Sequence, residues 1–275
     1  MNPMKTTGLP KMLRFSAPGV REHMEALAAS QVLIGVADDG QPVCIDLDGE
    51  GAHVLVCSGT GGGTTTVLRT LAAQFLHDGS DGLVLDHKRI SHRWASGMPG
   101  VTYCRDIADI HDALVRLRDE IWHRVHHVDQ HGDTGDLTRL TVVCEVAHHT
   151  LNQLARHWNK VRQAGDPKTS PAIDAFHEAL YAGRAARIHV LYGGHVDNTS
   201  LGAPAREQFS TVVLGRVTSR AWSRLAPHIH PAPKSSPLPG RVHVVQHSTA
   251  RPVQALLMTE AEAAAWATAT PAEEG

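Results

Sequence analysis

The chain has 275 residues, 42% of them hydrophobic and 20% charged, which is the balance of a globular protein with a sizeable core and excludes a disordered or fibrous chain. A formal net charge of −2 excludes a uniformly basic nucleic-acid coat, although a local basic track remains open. No apolar run approaches the roughly 18 residues of a membrane span, and the N-terminus lacks the charged-then-apolar layout of a signal peptide.

The four cysteines, Cys44, Cys57, Cys104 and Cys144, are too dispersed for zinc or disulfide spacing, so reduced thiols in a cytoplasmic protein are expected. Histidine is abundant, at 20 residues. His123, His126, His127 and His131 share part of one helix surface, and His148 is followed by His149. Imidazoles one turn apart can chelate a metal, but a solvated helix face explains the same pattern.

In chain order, a helix is expected around Val20–Ala29. Apolar runs at Val32–Val36 and Pro42–Ile45 flank Asp38-Asp39-Gly40, a hairpin signal. His53–Cys57 is a short apolar run ending at a Gly/Thr cluster, as a buried parallel strand would. Ser58–Thr66 reads as a loop, and the residues from Val67 to Leu76 have helical spacing. Strands follow at Leu83–Asp86 and Val101–Tyr103, then a long helix at Ile107–His131. Thr141–Glu145 is the next strand, before a helix reaching about Gln163.

Gly165–Pro171 forms a loop, with Pro171 in the tolerated first turn of another helix. Further strands are expected at Ile188–Tyr192 and Thr211–Leu214. Pro227–Gly240 is a connector. Arg241–Gln246 and Pro252–Met258 pair as a final hairpin, followed by a helix at Thr259–Thr268. Strands alternating with helices predict an α/β fold: a mainly parallel sheet with helices on both faces, plus N-terminal and C-terminal β-hairpins.

Strand, Gly-rich loop and helix in succession are the context of a phosphate-binding loop, where main-chain N–H groups and a helix N-terminus cradle phosphate oxygens. The candidate cradle is Ser58, Gly59, Thr60, Gly61, Gly62, Gly63, Thr64, Thr65 and Thr66. Against G-x-x-x-x-G-K-[ST], Ser58 replaces the first glycine and Thr64 the lysine, while Gly63 and the Mg²⁺-holding hydroxyl of Thr65 remain. On its own, a flexible Gly/Thr turn would produce the same text.

The surrounding segments resemble those of FtsK/SpoIIIE-type DNA translocases, including the conjugative TraB-like pumps. Gly35 to Pro42, Asp46-Leu47-Asp48 and His53–Val56 are similar to the run that leads into that family's P-loop. Leu83-Val84-Leu85-Asp86-His87-Lys88 resembles its strand ending in Asp-x-Lys, and Thr141–Glu145 occupies the Walker B place. Gly183–Val190 is similar to the Gly-Arg-Ala-Ala-Gly-Ile-His segment ahead of the sensor strand.

The resemblance covers roughly residues 31–225. It implies a RecA-like P-loop NTPase fold, ATP and Mg²⁺ as ligands, and a ring hexamer around double-stranded DNA. On this reading residues 1–30 are an N-terminal extension and 31–226 the P-loop domain. Residues 227–275 are a connector, hairpin and helix packed on that domain. Thr65 and Glu145 would support the metal; Glu145, His195 and Arg216 would stand at the reacting phosphate.

The departures are specific. Val146 takes the place of the second Walker B acid, which orients the attacking water in the family. His195 replaces the sensor glutamine, and Arg216 is left as a phosphate-facing or intersubunit arginine. Losing one preorganised donor lowers the rate on the order of 10²–10³-fold, and losing a general base about 10²–10⁴-fold. A charge-assisted hydrogen bond contributes roughly 1.5–3 kcal/mol to ground-state binding. Weak ATP binding with slow or lost hydrolysis is therefore expected.

Lys88 or Arg89 is a candidate replacement for the missing cation. Arg156, Lys160, Arg162, Lys168, Arg184 and Arg187 enrich one stretch in positive charge that would suit DNA phosphates or a solvated face equally. Co-assembly with an active paralogue, a working translocase and a pure protein-interaction scaffold remain alternatives.

Overall fold

The alternation of side chains along the central strands creates two cores, one on each face of a sheet. The computed structural model describes residues 8–28, 30–49, 53–194 and 203–269. The chain enters through β1 (Leu13–Arg14) and helix α1 (Val20–Glu25), then forms the hairpin β2 (Gln31–Ala37) and β3 (Pro42–Asp46). Helix α1 stops four residues short of the expected Ala29, because the Gln31 N–H bonds Ala28 O at 2.7 Å and turns the chain into β2.

Strand β4 (Val54–Ser58) leads to α2 (Thr64–His77), followed by β5 (Asp81–Leu85), β6 (Val101–Cys104) and α3 (Ile107–His131). Next come β7 (Leu140–Cys144), α4 (Ala147–Val161) and α5 (Pro171–Ala182), the last opened by Pro171. After β8 (Ile188–Gly193), the described chain resumes with α6 (Ala203–Arg206), β9 (Thr211–Gly215) and α7 (Ser219–Leu225). The second hairpin, β10 (Arg241–Gln246) with β11 (Thr249–Leu257), precedes α8 (Glu260–Thr268). A reciprocal capping box between Thr259 and Glu262 starts α8.

Among the described residues, all strands share one sheet in the order β3-β2-β11-β10-β9-β4-β8-β7-β5-β6, with β1 beside β11. From β9 to β6 every pairing is parallel. The two hairpins extend the β9 side in antiparallel fashion, and they pair with each other through Val253↔Ala37 in β11 and β2.

The parallel strands are apolar throughout because both of their faces are covered. Val54, Val56, Val84, Val143, Leu191 and Val213 face a core with α2 and α8. Leu55, Cys57, Leu85, Val142, Cys144 and Tyr192 face the opposite core, built with α3, α4 and α5. None of the four cysteines is in a disulfide; Cys57, Cys104 and Cys144 are buried. No helix among the described residues is long and apolar enough to cross a membrane.

One buried histidine fixes the start of the central strands. Val190 N–H donates to His53 Nδ1 at 3.0 Å, so the proton is on Nε2, 3.1 Å from Leu180 O. Burial, and then the nearby His189, push this imidazole down to about 3.

Candidate functional site

Parallel alignment brings the C-terminal ends of β4, β9, β8, β7 and β5 to one edge: Ser58 lies opposite Gly215, Leu85 opposite Cys144, and Cys144 opposite Tyr192. That edge is where open α/β sheets carry their ligands.

The loop from Ser58 to Gly63 joins β4 to α2 through two left-handed glycines, Gly61 at φ 71° and Gly63 at φ 100°. Gly59 donates to Gly215 O at 2.9 Å, and a Cβ at Gly59 would lie 2.5 Å from Arg216 O, so only glycine lets this loop lie against β9. Gly62 N–H closes a tight turn on Gly59 O at 2.7 Å. The N–H groups of Gly61, Gly63, Thr64, Thr65 and Thr66 find no acceptor among the described residues. This is the donor-rich start of a helix that suits an anion.

Thr64 does not face outward like a lysine. Its Oγ1 accepts from Ser58 N–H at 3.2 Å and lies 3.4 Å from Ser58 O, closing the loop on itself. Thr65 points the other way and donates to Glu145 Oε1 at 2.9 Å.

Glu145 is 2% exposed and surrounded by donors. Oε1 also receives Lys88 Nζ at 3.4 Å, and Oε2 receives His92 Nε2 at 3.1 Å. The Trp94 indole N–H, which can only donate, points at His92 Nδ1 from 3.4 Å, so His92 uses Nε2–H toward the carboxylate. Burial pushes the Glu145 carboxyl up, but the His92, Thr65 and Lys88 contacts together hold it below its ordinary value. A hydroxyl that retains its lone pairs beside an anionic carboxylate is a set of hard oxygen donors, so Thr65 and Glu145 fit Mg²⁺.

The segment carrying Lys88 and His92 is organised by Asp86. Its Oδ2 accepts from Ser91 N–H, His92 N–H and the Tyr103 hydroxyl, each at 2.9 Å, while Arg89 turns through φ 67°. Burial and Asp86 together push the Tyr103 phenol up to about 12. Arg89 itself is turned aside to pair with Asp106.

Val146 follows Glu145 at φ 47°, ψ 49°. A β-branched residue in the left-handed region is strained, and its side chain offers only hydrocarbon beside the Glu145 carboxylate. Arg216, at φ 49°, lies over the loop: Nη1 donates to Gly61 O at 3.3 Å, and Nη2 donates to Pro237 O in the connector.

No protein-family model and no curated protein sequence matches the chain. Among solved structures, the pCW3 conjugation coupling protein TcpA, in monomer form with ATPgS, is similar with a TM-score of 0.72 and 17% identity. The match covers 93% of this chain and 72% of that one. The cytoplasmic domain of the Thermomonospora curvata type VII secretion ATPase EccC gives 0.66 and 16%, over 91% of this chain and 28% of that one. EssC (ATPases 2 and 3) from Geobacillus thermodenitrificans gives 0.66 and 14%, over 92% and 46%. The chain thus spans less than half of either secretion ATPase structure.

The fold is the one shared by these FtsK/SpoIIIE-type ATPase structures.

Within this FtsK/SpoIIIE-type fold, Ser58–Thr66, Thr65, Glu145 and Arg216 converge on one edge of the sheet. His195 lies outside the described residues. His92 and Tyr103 were not singled out from sequence, and Asp86 appeared there only as part of the Asp-x-Lys segment. The one available signal was Asp86 standing five and six residues before the N–H groups it caps, the spacing of a loop folded back on its own carboxylate.

Of the basic stretch, Arg156, Lys160, Arg162, Lys168 and Arg184 are exposed, whereas Arg187 is half-buried and donates to the carbonyls of Thr134, Gly135 and Leu137. The stretch is therefore split between a free surface and a structural anchor. On α3, the His127 and His131 rings stack at 4.3 Å. No group of three or more His, Cys, Asp or Glu side chains poised for a metal exists among the described residues.

Proposed function

We propose that this chain is an FtsK/SpoIIIE-family motor domain that binds ATP weakly, contacts double-stranded DNA, and hydrolyses the nucleotide slowly or not at all. The observation that carries this reading is the contrast inside one loop. The N–H donors of residues 61 and 63–66 are retained, while Thr64 turns its hydroxyl back onto Ser58 and Val146 supplies no acid.

In this reading the main-chain amides hold the phosphate oxygens, and Thr65 with Glu145 holds Mg²⁺, which would supply charge to the β- and γ-phosphates. Glu145 receives Thr65 and Lys88 on one oxygen and His92 on the other, so it orients the metal ligand rather than activating water. With Val146 beside it, no anionic side chain from the Walker B strand remains to align a nucleophile, and the rate falls by the general-base factor of about 10²–10⁴. Arg216 braces Gly61 from above and is placed to sense an occupied loop.

Exposed Arg156 and Lys160 on α4, with Arg162 and Lys168 beyond it, form the DNA-facing track. The protein works in the cytoplasm, as a homo-hexamer or within the ring of an active paralogue.

The test is phosphate release from MgATP with and without duplex DNA, for the unmodified protein and for the T64K/V146E double variant. Background-level release by the unmodified protein and DNA-stimulated release by the variant are expected. Robust DNA-stimulated turnover by the unmodified protein would instead make it a working translocase.

A further inference from the structure

Among the described residues, Lys88 is the one lysine whose ammonium bonds Glu145, the carboxylate that also accepts from Thr65 at the start of α2. Three observations converge on it. Its Nζ bonds the same Glu145 oxygen that accepts the Thr65 hydroxyl, so it lies on the side of the carboxylate that faces the loop. Its side chain is 48% exposed, free to move toward a ligand, while Glu145 is fixed in the core at 2%. The alternatives are otherwise engaged: Arg89 pairs with Asp106, and Arg216 donates to the Gly61 and Pro237 carbonyls.

We propose that Lys88, delivered from the end of β5, is the cation that faces the phosphates in this site, and that a triphosphate is held there with or without Mg²⁺. This inference rests on the nucleotide-binding reading above.

The physical basis is charge balance. A loop without its lysine offers a triphosphate only peptide dipoles and a nearby carboxylate, and that carboxylate repels the phosphates unless a cation neutralises it. Mg²⁺ is the usual neutraliser, and Thr65 with Glu145 is a fitting donor set for it. Lys88 already neutralises the same oxygen, and its flexible stem lets one ammonium bridge carboxylate and phosphate. The Asp86 hydrogen bonds to Ser91 and His92 hold the return of this segment and hence its position over Glu145.

The experiment is a fluorescence titration with N-methylanthraniloyl-ATP, in Mg²⁺ and in EDTA. The proteins are the unmodified chain, K88M, R89M and K88M/T64K, with thermal unfolding recorded for each. The unmodified protein is expected to bind in both media with affinities within about tenfold. K88M should bind about ten- to hundredfold more weakly in both, the range of one charge-assisted hydrogen bond. R89M should stay within about twofold, and T64K should restore affinity to K88M by placing a lysine back in the loop.

Binding by the unmodified protein that disappears in EDTA, or K88M that binds as well as the unmodified protein, would overturn the role of Lys88 and leave nucleotide binding intact. No binding by the unmodified protein in either medium would overturn both.

Discussion

The Thr65 hydroxyl donates to Glu145 Oε1 at 2.9 Å, tying the first turn of α2 to the end of β7 across the intervening strand β8. Glu145 uses both of its oxygens as acceptors, Thr65 and Lys88 sharing one and His92 taking the other. In Glu145→Gln, the amide N–H₂ must face either His92 or the Thr65–Lys88 pair, donor against donor. Urea unfolding should show a loss of about 1–3 kcal/mol, the cost of a buried donor left unmatched. Unchanged stability would mean that the three contacts do not form.

Val146 holds a left-handed conformation that a β-branched side chain resists. Asparagine tolerates that region, so Val146→Asn should raise stability by about 1 kcal/mol in denaturant unfolding, without restoring hydrolysis. A destabilised variant would show that the Val146 side chain contributes packing greater than its strain.

His53 provides a pH dependence with a defined sign. Its folded-state value of about 3 lies below the ordinary histidine value of 6.5, so its contribution is complete above about 6.5 and is lost as pH falls toward about 3. Unfolding free energy measured from pH 7.5 to 4.5 should decline less steeply in His53→Asn than in the unmodified protein. The variant keeps an acceptor for Val190 N–H but cannot take up the proton.

On the DNA reading, Arg156 and Lys160 contact phosphates without reading sequence. The double variant R156A/K160A should bind duplex DNA more weakly, and its plot of log affinity against log salt should be shallower by about two units, roughly one for each lost phosphate contact. An unchanged slope would move the DNA track elsewhere.

Much of the fold was legible because its signals are local. The apolar period of Ile107–His131 marked α3 at both ends, Pro171 marked the start of α5, and Thr259 with Glu262 capped α8. The short elements escaped for the converse reason. Two residues of β1 carry no period, and α7 owes its place to buried Trp222, whose indole N–H reaches Ile229 O at 2.9 Å.

In the site, strand–loop–helix context pointed to Thr65, and Glu145 was singled out only through the family resemblance; the structure joins the two by a hydrogen bond. Lys88 was visible only as a candidate beside Arg89. Choosing between them needs the left-handed turn at Arg89 and the Asp86 cap, both of which depend on how the chain doubles back in space. The part played by His92 depends on the same return, because 53 residues separate it from the carboxylate it bonds.

The most direct test is a single-turnover experiment with protein in excess over radiolabelled MgATP, following retained nucleotide and released phosphate in the same samples. Saturable retention, with phosphate release no faster than background over many half-times of binding, is the predicted result. Phosphate release that keeps pace with binding would contradict it.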